Sequence, residues 1–484
     1  MTCQIMQSHI IDSRFFRSGF ATDEVRSIFC DLHRMQRWMD VEVALAQTQA
    51  KLGIIPQAAA DELARHGQLH LLNQEVILEN LQTTGHSLMP LLFAWQQVVS
   101  ESAGRYLHFG ATTQDIQDTA QSLELKDVFS IVERDFAAIV HKLMKLAGDY
   151  RSLVTVGRTH GQHALPTTMG LKFAVWLDEM LRNGERIQEC KKRLLVCQMF
   201  GGVGTMAGFG QHGQEILAGV ADRLELGKPR VAWHASRDRL AEFIAVSTVL
   251  AGTLANIANE ISQLSRDEIH EMEEPFHSGK LGSSTMPHKR NPELCEQVVV
   301  LARLIKSNSI LGFDGLINEH ERDYRAVRLE WVSILDTSMF LGKALDLMKT
   351  ILSGLIIYER RVAENVASTA ELTSSESLMF LLGSKMGNQK AHSLIYESAM
   401  KAHEADKSLI EVLFADETVS SLFDLDELMR AVHPENNIGQ AVALTESVMK
   451  SASKWLSRMD VNEAKTVTCS LCESGKQENG GAAS

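Results

Sequence analysis

Almost nothing in this chain would stop a helix. Only 8 prolines occur in 484 residues, well under the usage of about 5 % typical of globular proteins. Long runs rich in Ala, Leu, Glu and Lys, all strong helix formers, fill the space between them. From Asp115 to about residue 370 the apolar spacing predicts long helices over about 115–147, 165–198, 236–266, 292–311 and 329–355. Polar or Gly-rich turns separate them, notably Gly201–Gly213 and Pro275–Asn291. Helices of this length suit a coiled-coil-like bundle, and their apolar faces are broader than one bundle needs, which predicts burial against further copies. Upstream, a helix from about Thr22 to Leu52 carries Ile28, Leu32, Met35, Met39 and Val43 on one face and stops at Gly53. The expected organisation is all-α with three helical domains. They are an N-terminal domain (1–114), a central long-helix bundle (115–370) with a loop over 275–292, and a smaller helical domain (371–456). The tail over 457–484 reads as disordered from its composition.

Charge and composition narrow the partners. A net charge of −13 disfavours nucleic acid, which needs basic surface, while leaving room for a local basic pocket around a small anion. The sequence has no uninterrupted apolar run of about 18 residues and no signal-peptide core near Met1, so no membrane span and a cytoplasmic location are expected. Seven scattered cysteines fit reduced thiols. Cys469 and Cys472 form a lone CxxC without partners for a metal or redox role.

The densest concentration of chemistry is Gly282-Ser283-Ser284-Thr285-Met286-Pro287-His288-Lys289-Arg290-Asn291-Pro292. Asn291 suits an N-cap, Pro292 the first helical position and Glu293 the first turn. Leu294, Val298, Leu301 and Ile305 then mark a buried helix. A polar loop is thus fastened to the positive end of a core helix, where an anion would be welcome. On composition alone the stretch reads equally as a solvated connector.

This stretch resembles the signature loop of the fumarase/aspartase superfamily. Two further segments agree in the expected order: Gly110-Ala111-Thr112-Thr113-Gln114-Asp115 and Gly157-Arg158-Thr159-His160-Gly161-Gln162-His163. The resemblance implies three helical domains, with the central one joining a twenty-helix core in a homotetramer whose active sites draw on several subunits. It also implies a reversible anti β-elimination on a small dicarboxylate, usually releasing fumarate. Such a reaction needs a base on one face, an acid on the other, and fixed donors around the carboxylate that takes up the carbanion's charge.

By the same resemblance Ser283 is the base, in a loop where Lys289 and a helix N-terminus supply positive potential; read locally, Ser283 and Ser284 merely close a turn. Gly279 and Gly282 would let the loop move. His160 matches the acid and Glu296, seven residues beyond Lys289, the carboxylate that pairs with it and keeps it a usable acid. Thr112, Thr113, Thr159, Lys289 and Asn291 match carboxylate ligands, although Thr112 and Thr113 would also serve as helix caps. Ser284 and Met286 on the loop, and Arg322 further along the chain, are further candidate substrate contacts. His86 and His108 match secondary site histidines of the adenylosuccinate lyase branch. Arg14, in the early Arg14-Phe15-Phe16 cluster, matches an arginine that helps hold a nucleotide phosphate there. No metal or cofactor is expected.

Two branches compete. The His160 and Lys289 motifs resemble adenylosuccinate lyase. Thr84-Gly85-His86-Ser87, Gln114, His320-Glu321-Arg322, Glu330-Trp331 and Pro434–Gln440 resemble carboxymuconate cycloisomerase. After Asp323 the chain reads Tyr324-Arg325-Ala326 rather than the serine-rich stretch expected around a nucleotide phosphate. The pairing of His160 with Glu296 favours a C–N lyase acting on an N-substituted aspartate. The cycloisomerase is the alternative, and a crystallin-like structural protein is a third.

Overall fold

The computed structural model describes residues 9–276, 282–286 and 288–459. Helices dominate them, and strands are confined to two short antiparallel pairs. The helix expected over 22–52 is broken in two, Asp23–Phe29 and α1 (Asp31–Lys51). Cys30 takes extended angles of −67° and 152° between them, and its Sγ accepts from His33 N at 3.4 Å. A side chain acting as a cap thus restarts the helix within one apolar pattern.

Five long helices form the body: α2 (Thr113–Asp149), α3 (Met169–Leu194), α4 (Asp238–Leu264), α5 (Glu293–Asp314) and α6 (Tyr324–Ser353). They alternate in direction. At one end Arg237, just before α4, is buried between Asp118 near the start of α2 and Glu330 near the start of α6. At the other, Gly170 N at the start of α3 bonds Tyr150 O just past α2 at 2.8 Å. Phe136, Phe173, Phe243, Leu254, Leu301 and Leu345 fill the interior. A last helix, α7 (Ala441–Leu456), leaves the C-terminal region and packs on α2 and α3, its Trp455 ring 5.3 Å from Phe136.

The helix expected from 165 begins only at Met169. Leu165–Thr168 instead belong to a hairpin of β1 (Val154–Thr159) and β2 (Gln162–Thr168). Pro166 cannot donate within a helix, Thr167 and Thr168 favour extended backbone, and Thr168 Oγ1 then caps α3 through Leu171 N at 3.1 Å. A second pair, β3 (Met272–Glu273) with β4 (Ile356–Ile357), ties the exit of α4 to the exit of α6.

Around the bundle, Trp38 and Trp95 nucleate an N-terminal core that also takes in Ile116 of α2 and Ile216, Leu217 and Val220 from the 197–226 segment. Leu378, Leu382, Leu413 and Leu428 anchor a small C-terminal core. Helix α4 is the one described helix long and apolar enough to cross a membrane; here that apolarity is spent packing on α3, α5 and α6. Outward-facing Val249, Val300, Ile310 and Val332 stay exposed on α4, α5 and α6. Residues 460–484, with Cys469 and Cys472, lie outside the described residues.

Candidate active site

The candidate residues fall into three groups, held by different parts of the bundle. The first is the loop before α5. Ser283 Oγ accepts hydrogen bonds from Met286 N at 3.1 Å and Thr285 N at 3.3 Å. Two backbone donors therefore already converge on the oxygen that would carry negative charge as a base. Gly282 is there for a close approach: a Cβ would lie 1.9 Å from Lys289 O. Asn291 does not cap α5, as expected from sequence. Its amide donates to Gly282 O at 2.5 Å, drawing the two ends of the loop together. The helix begins at Glu293, one residue later than expected, and Glu274 takes the capping role, accepting from Leu294 N at 3.1 Å and Cys295 N at 2.9 Å. The positive end expected to welcome a ligand anion is thus occupied by a buried carboxylate of the chain itself.

Lys289, Asn291 and Met286 line a cavity of about 700 Å³ together with Arg266, His270, Phe276 and Tyr358. Arg290 closes its edge by bonding Glu273 at 3.2 Å and lying 5.1 Å over the Phe276 ring. Tyr358 also donates to Glu273, and burial with that hydrogen bond pushes its hydroxyl pKa up. Ser284 and Glu296 are exposed and do not line this cavity. Gly279 lies outside the described residues. The N-terminal segment carrying Arg14 reaches the same end of α5, where Gln297 donates to Gly19 O at 2.8 Å; Arg14 itself is exposed.

The second group is the tip of the β1–β2 hairpin. Thr159 pairs with Gln162, so His160 and Gly161 are the two central residues of the turn, with φ of 53° and 76°. Both are left-handed, the type I′ geometry that suits a twisted hairpin. The turn presents Thr159 and His160 to solvent. The sequence reading paired His160 with Glu296. Among the described residues no hydrogen bond or ion pair joins His160, at the hairpin tip, to Glu296 on α5.

The third group gathers at the start of α2. Thr112 N donates to Asp115 Oδ2 at 3.1 Å, and Arg322 donates through both terminal nitrogens to Thr112 Oγ1 at 3.0 Å and to Gly202 O at 2.7 Å. Asp115, fully buried, also accepts from Phe200 N, Gly201 N and His234 Nε2 at 2.8–2.9 Å. Thr113 opens the helix, half-buried. His108 (φ 61°) is locked to buried Glu42, Nδ1 to Oε1 at 2.6 Å. Burial lowers its pKa, but the bond to Glu42, the Glu42 charge and the Asp115 charge outweigh it, so His108 titrates above its ordinary value. His86 Nδ1 accepts from Leu88 N and Met89 N, which assigns its proton to an outward-facing Nε2. Ser87 beside it accepts from Gln117 Nε2 on α2 at 2.7 Å.

Sequence reasoning missed the residues that hold these groups: Asp115, Arg158, Glu271, Glu273, Glu274 and Tyr358. Asp115 and Arg158 stood inside the quoted motifs without a role assigned to them, and for the glutamates the signal was the acidic run Glu271-Met272-Glu273-Glu274 just before the loop. Its partners are remote in sequence, so nothing local told it from a solvated turn.

Comparison with known proteins bears on this geometry. The family model described as Lyase matches residues 17–306, and that described as Adenylosuccinate lyase C-terminus matches residues 371–448. The chain is 39% identical over 447 residues to an N-acetyl-S-(2-succino)cysteine lyase of Dickeya dadantii, covering 92% of this chain and 98% of that one. It is 38% identical over 449 residues to an adenylosuccinate lyase of Pyrococcus abyssi, covering 92% and 98%. Among solved structures, the 3-carboxy-cis,cis-muconate lactonizing enzyme of Pseudomonas putida superposes with a TM-score of 0.86 at 31% identity, covering 92% of this chain and all of that one.

Proposed function

The chain belongs to the fumarase/aspartase superfamily of lyases, and from that premise we propose that it releases fumarate from a small 2-substituted succinate, with the thioether of a cysteine derivative as the leading substrate class. The observation that carries this reading is the Ser283 hydroxyl, whose oxygen already receives two backbone N–H groups on a loop shared with Lys289. Those donors stabilise the alkoxide more than the alcohol, which makes serine a usable base. Ser283 then removes a proton from the carbon next to one carboxylate. Charge spreads into that carboxylate, the C–S bond of the neighbouring carbon breaks, and His160 delivers a proton to the departing sulfur. Lys289, Asn291, Thr112, Thr113 and Thr159 are the proposed carboxylate ligands.

Two features support a leaving group smaller than a nucleotide. Arg325 is held by Asp323 and Glu319, and no serine cluster follows Asp323. A relative named for a succinylated cysteine is also among the most similar proteins. A second reading, an amine leaving group, is favoured by the presence of His160, because an amine departs only when protonated and so has more need of an acid.

The reading also requires several copies of the chain, in line with a homotetramer working in the reducing cytoplasm. Helix α2 has 37 residues, which at about 1.5 Å each separates Thr112 from the hairpin end by about 55 Å. The purified protein should be incubated with N-acetyl-S-(2-succino)cysteine, adenylosuccinate and 3-carboxymuconate in turn. Fumarate together with free thiol is the expected result; consumption of 3-carboxymuconate alone would make the chain a cycloisomerase.

A further inference from the structure

The segment Glu271–Glu274 ties the hairpin that carries His160 to the loop and helix that carry Ser283 and Glu296, and it does so with buried carboxylates. Glu271, fully buried, receives Arg158 through both terminal nitrogens at 2.6 and 3.1 Å and Asn365 at 2.8 Å. Arg158 lies two residues before His160 on β1. Glu273 receives Arg290 and Tyr358, at the far end of the Ser283 loop. Glu274 receives the amides of Leu294 and Cys295 in the first turn of α5, the helix that carries Glu296. Met272, between them, is wholly buried, and β3 pins the segment to β4. Three carboxylates in four residues would repel one another and lose hydration on burial, so the arrangement holds only while each has its own partner.

We infer that Glu271–Glu274 is a positioning rail: Glu271, acting through Arg158, sets the direction in which the hairpin presents His160, while Glu273 and Glu274 set the loop and helix that carry Ser283 and Glu296. This inference rests on the proposed elimination. Its physical basis is the fork geometry of Arg158. A bidentate arginine–carboxylate bond fixes both the angle and the distance of the strand that bears it, and the turn after that strand contains only His160 and Gly161. Neutralising Glu271 removes the charge that holds the fork but no group that touches substrate. Loss of aim at His160 should therefore weaken proton delivery to the leaving group and leave proton removal by Ser283 unchanged.

That distinction can be measured. Glu271→Gln, Glu273→Gln and the unaltered protein are assayed on a series of S-succinyl thiols whose leaving thiols run from acidic aryl to weakly acidic alkyl. For Glu271→Gln, kcat should fall about tenfold with alkyl thiols and less than about threefold with aryl thiols, which leave without help. KM should move little. Glu273→Gln should lower kcat by a similar factor across the whole series. In a His160→Gln background, Glu271→Gln should add no further dependence on the leaving group. If Glu271→Gln does not fold, Arg158→Lys, which keeps the charge and loses the fork, carries the same comparison. A uniform loss across the series in Glu271→Gln or in Arg158→Lys means the Arg158–Glu271 clamp is only structural, and the inference falls. Absence of fumarate from the unaltered protein with every thioether overturns the proposed function itself, and this inference with it.

Discussion

Gly282 has no room for a side chain. An added methyl would overlap Lys289 O at 1.9 Å, so Gly282→Ala must push the loop away from Lys289 and strain the bond from Asn291 to Gly282 O. Misplacement of a reacting group by about 1 Å costs up to about a hundredfold in rate. Gly282→Ala should therefore lower kcat by that order and shift the melting temperature by under about 2 °C, since the loop is largely exposed. Ser283→Ala should abolish turnover by about a thousandfold or more with the helical signal intact; an unchanged rate would remove Ser283 as the base. The His108–Glu42 pair makes a prediction about pH. The folded-state pKa of His108 is raised, so its contribution to stability is complete below the ordinary histidine value of about 6.5 and is lost as pH rises through the higher folded value. The melting temperature should decline over that window. Glu42→Gln should flatten the decline; an identical pH profile in the variant would mean that the pair contributes nothing.

Helix interiors were legible in this sequence, and helix ends were not. The apolar period located α2 to α6 to within a few residues because each helix buries one face against the same bundle. Ends are set by single hydrogen bonds whose partners can be anywhere in the chain. Asn291 and Pro292 compose a good local start signal, yet the amides of α5 find Glu274, twenty residues upstream of Leu294. Cys30 interrupts a periodic run that looked continuous. The candidate site divides in the same way: Ser283, His160 and the threonine pair stand in recognisable local motifs, whereas Glu271, Glu273 and Tyr358 matter only through folded contacts. The remote cap can be tested directly. Glu274→Gln keeps the size of the side chain but weakens two charge-assisted bonds at a buried helix end, which should cost about 1–2 kcal/mol. Chemical denaturation should show a midpoint shift at constant slope. No shift would mean that the amides are equally well served by another acceptor.

At the scale of the whole molecule, the candidate residues stand at opposite ends of one long bundle. Thr112 and Arg322 stand at the end of the bundle where α2, α4 and α6 begin, while Ser283 and the hairpin stand at the opposite end. Helix α5, with 22 residues, spans about 33 Å between the loop and the turn leading to Arg322. Copies packed antiparallel would bring opposite ends together, and the exposed Val249, Val300, Ile310 and Val332 offer apolar surface for that packing. Activity should then belong to the assembly. Ser283→Ala and His160→Asn proteins, each inactive, should recover a fraction of the normal rate when unfolded together and refolded as mixed assemblies, since some sites then receive an intact serine from one copy and an intact histidine from another. Ile310→Asp, placing charge on the exposed face of α5, should dissociate the assembly and lose activity in the same concentration range, read by light scattering and fumarate release on one sample. Mixed assemblies that stay as inactive as their parents, with mixing confirmed by native mass spectrometry, would require base and acid to come from the same copy.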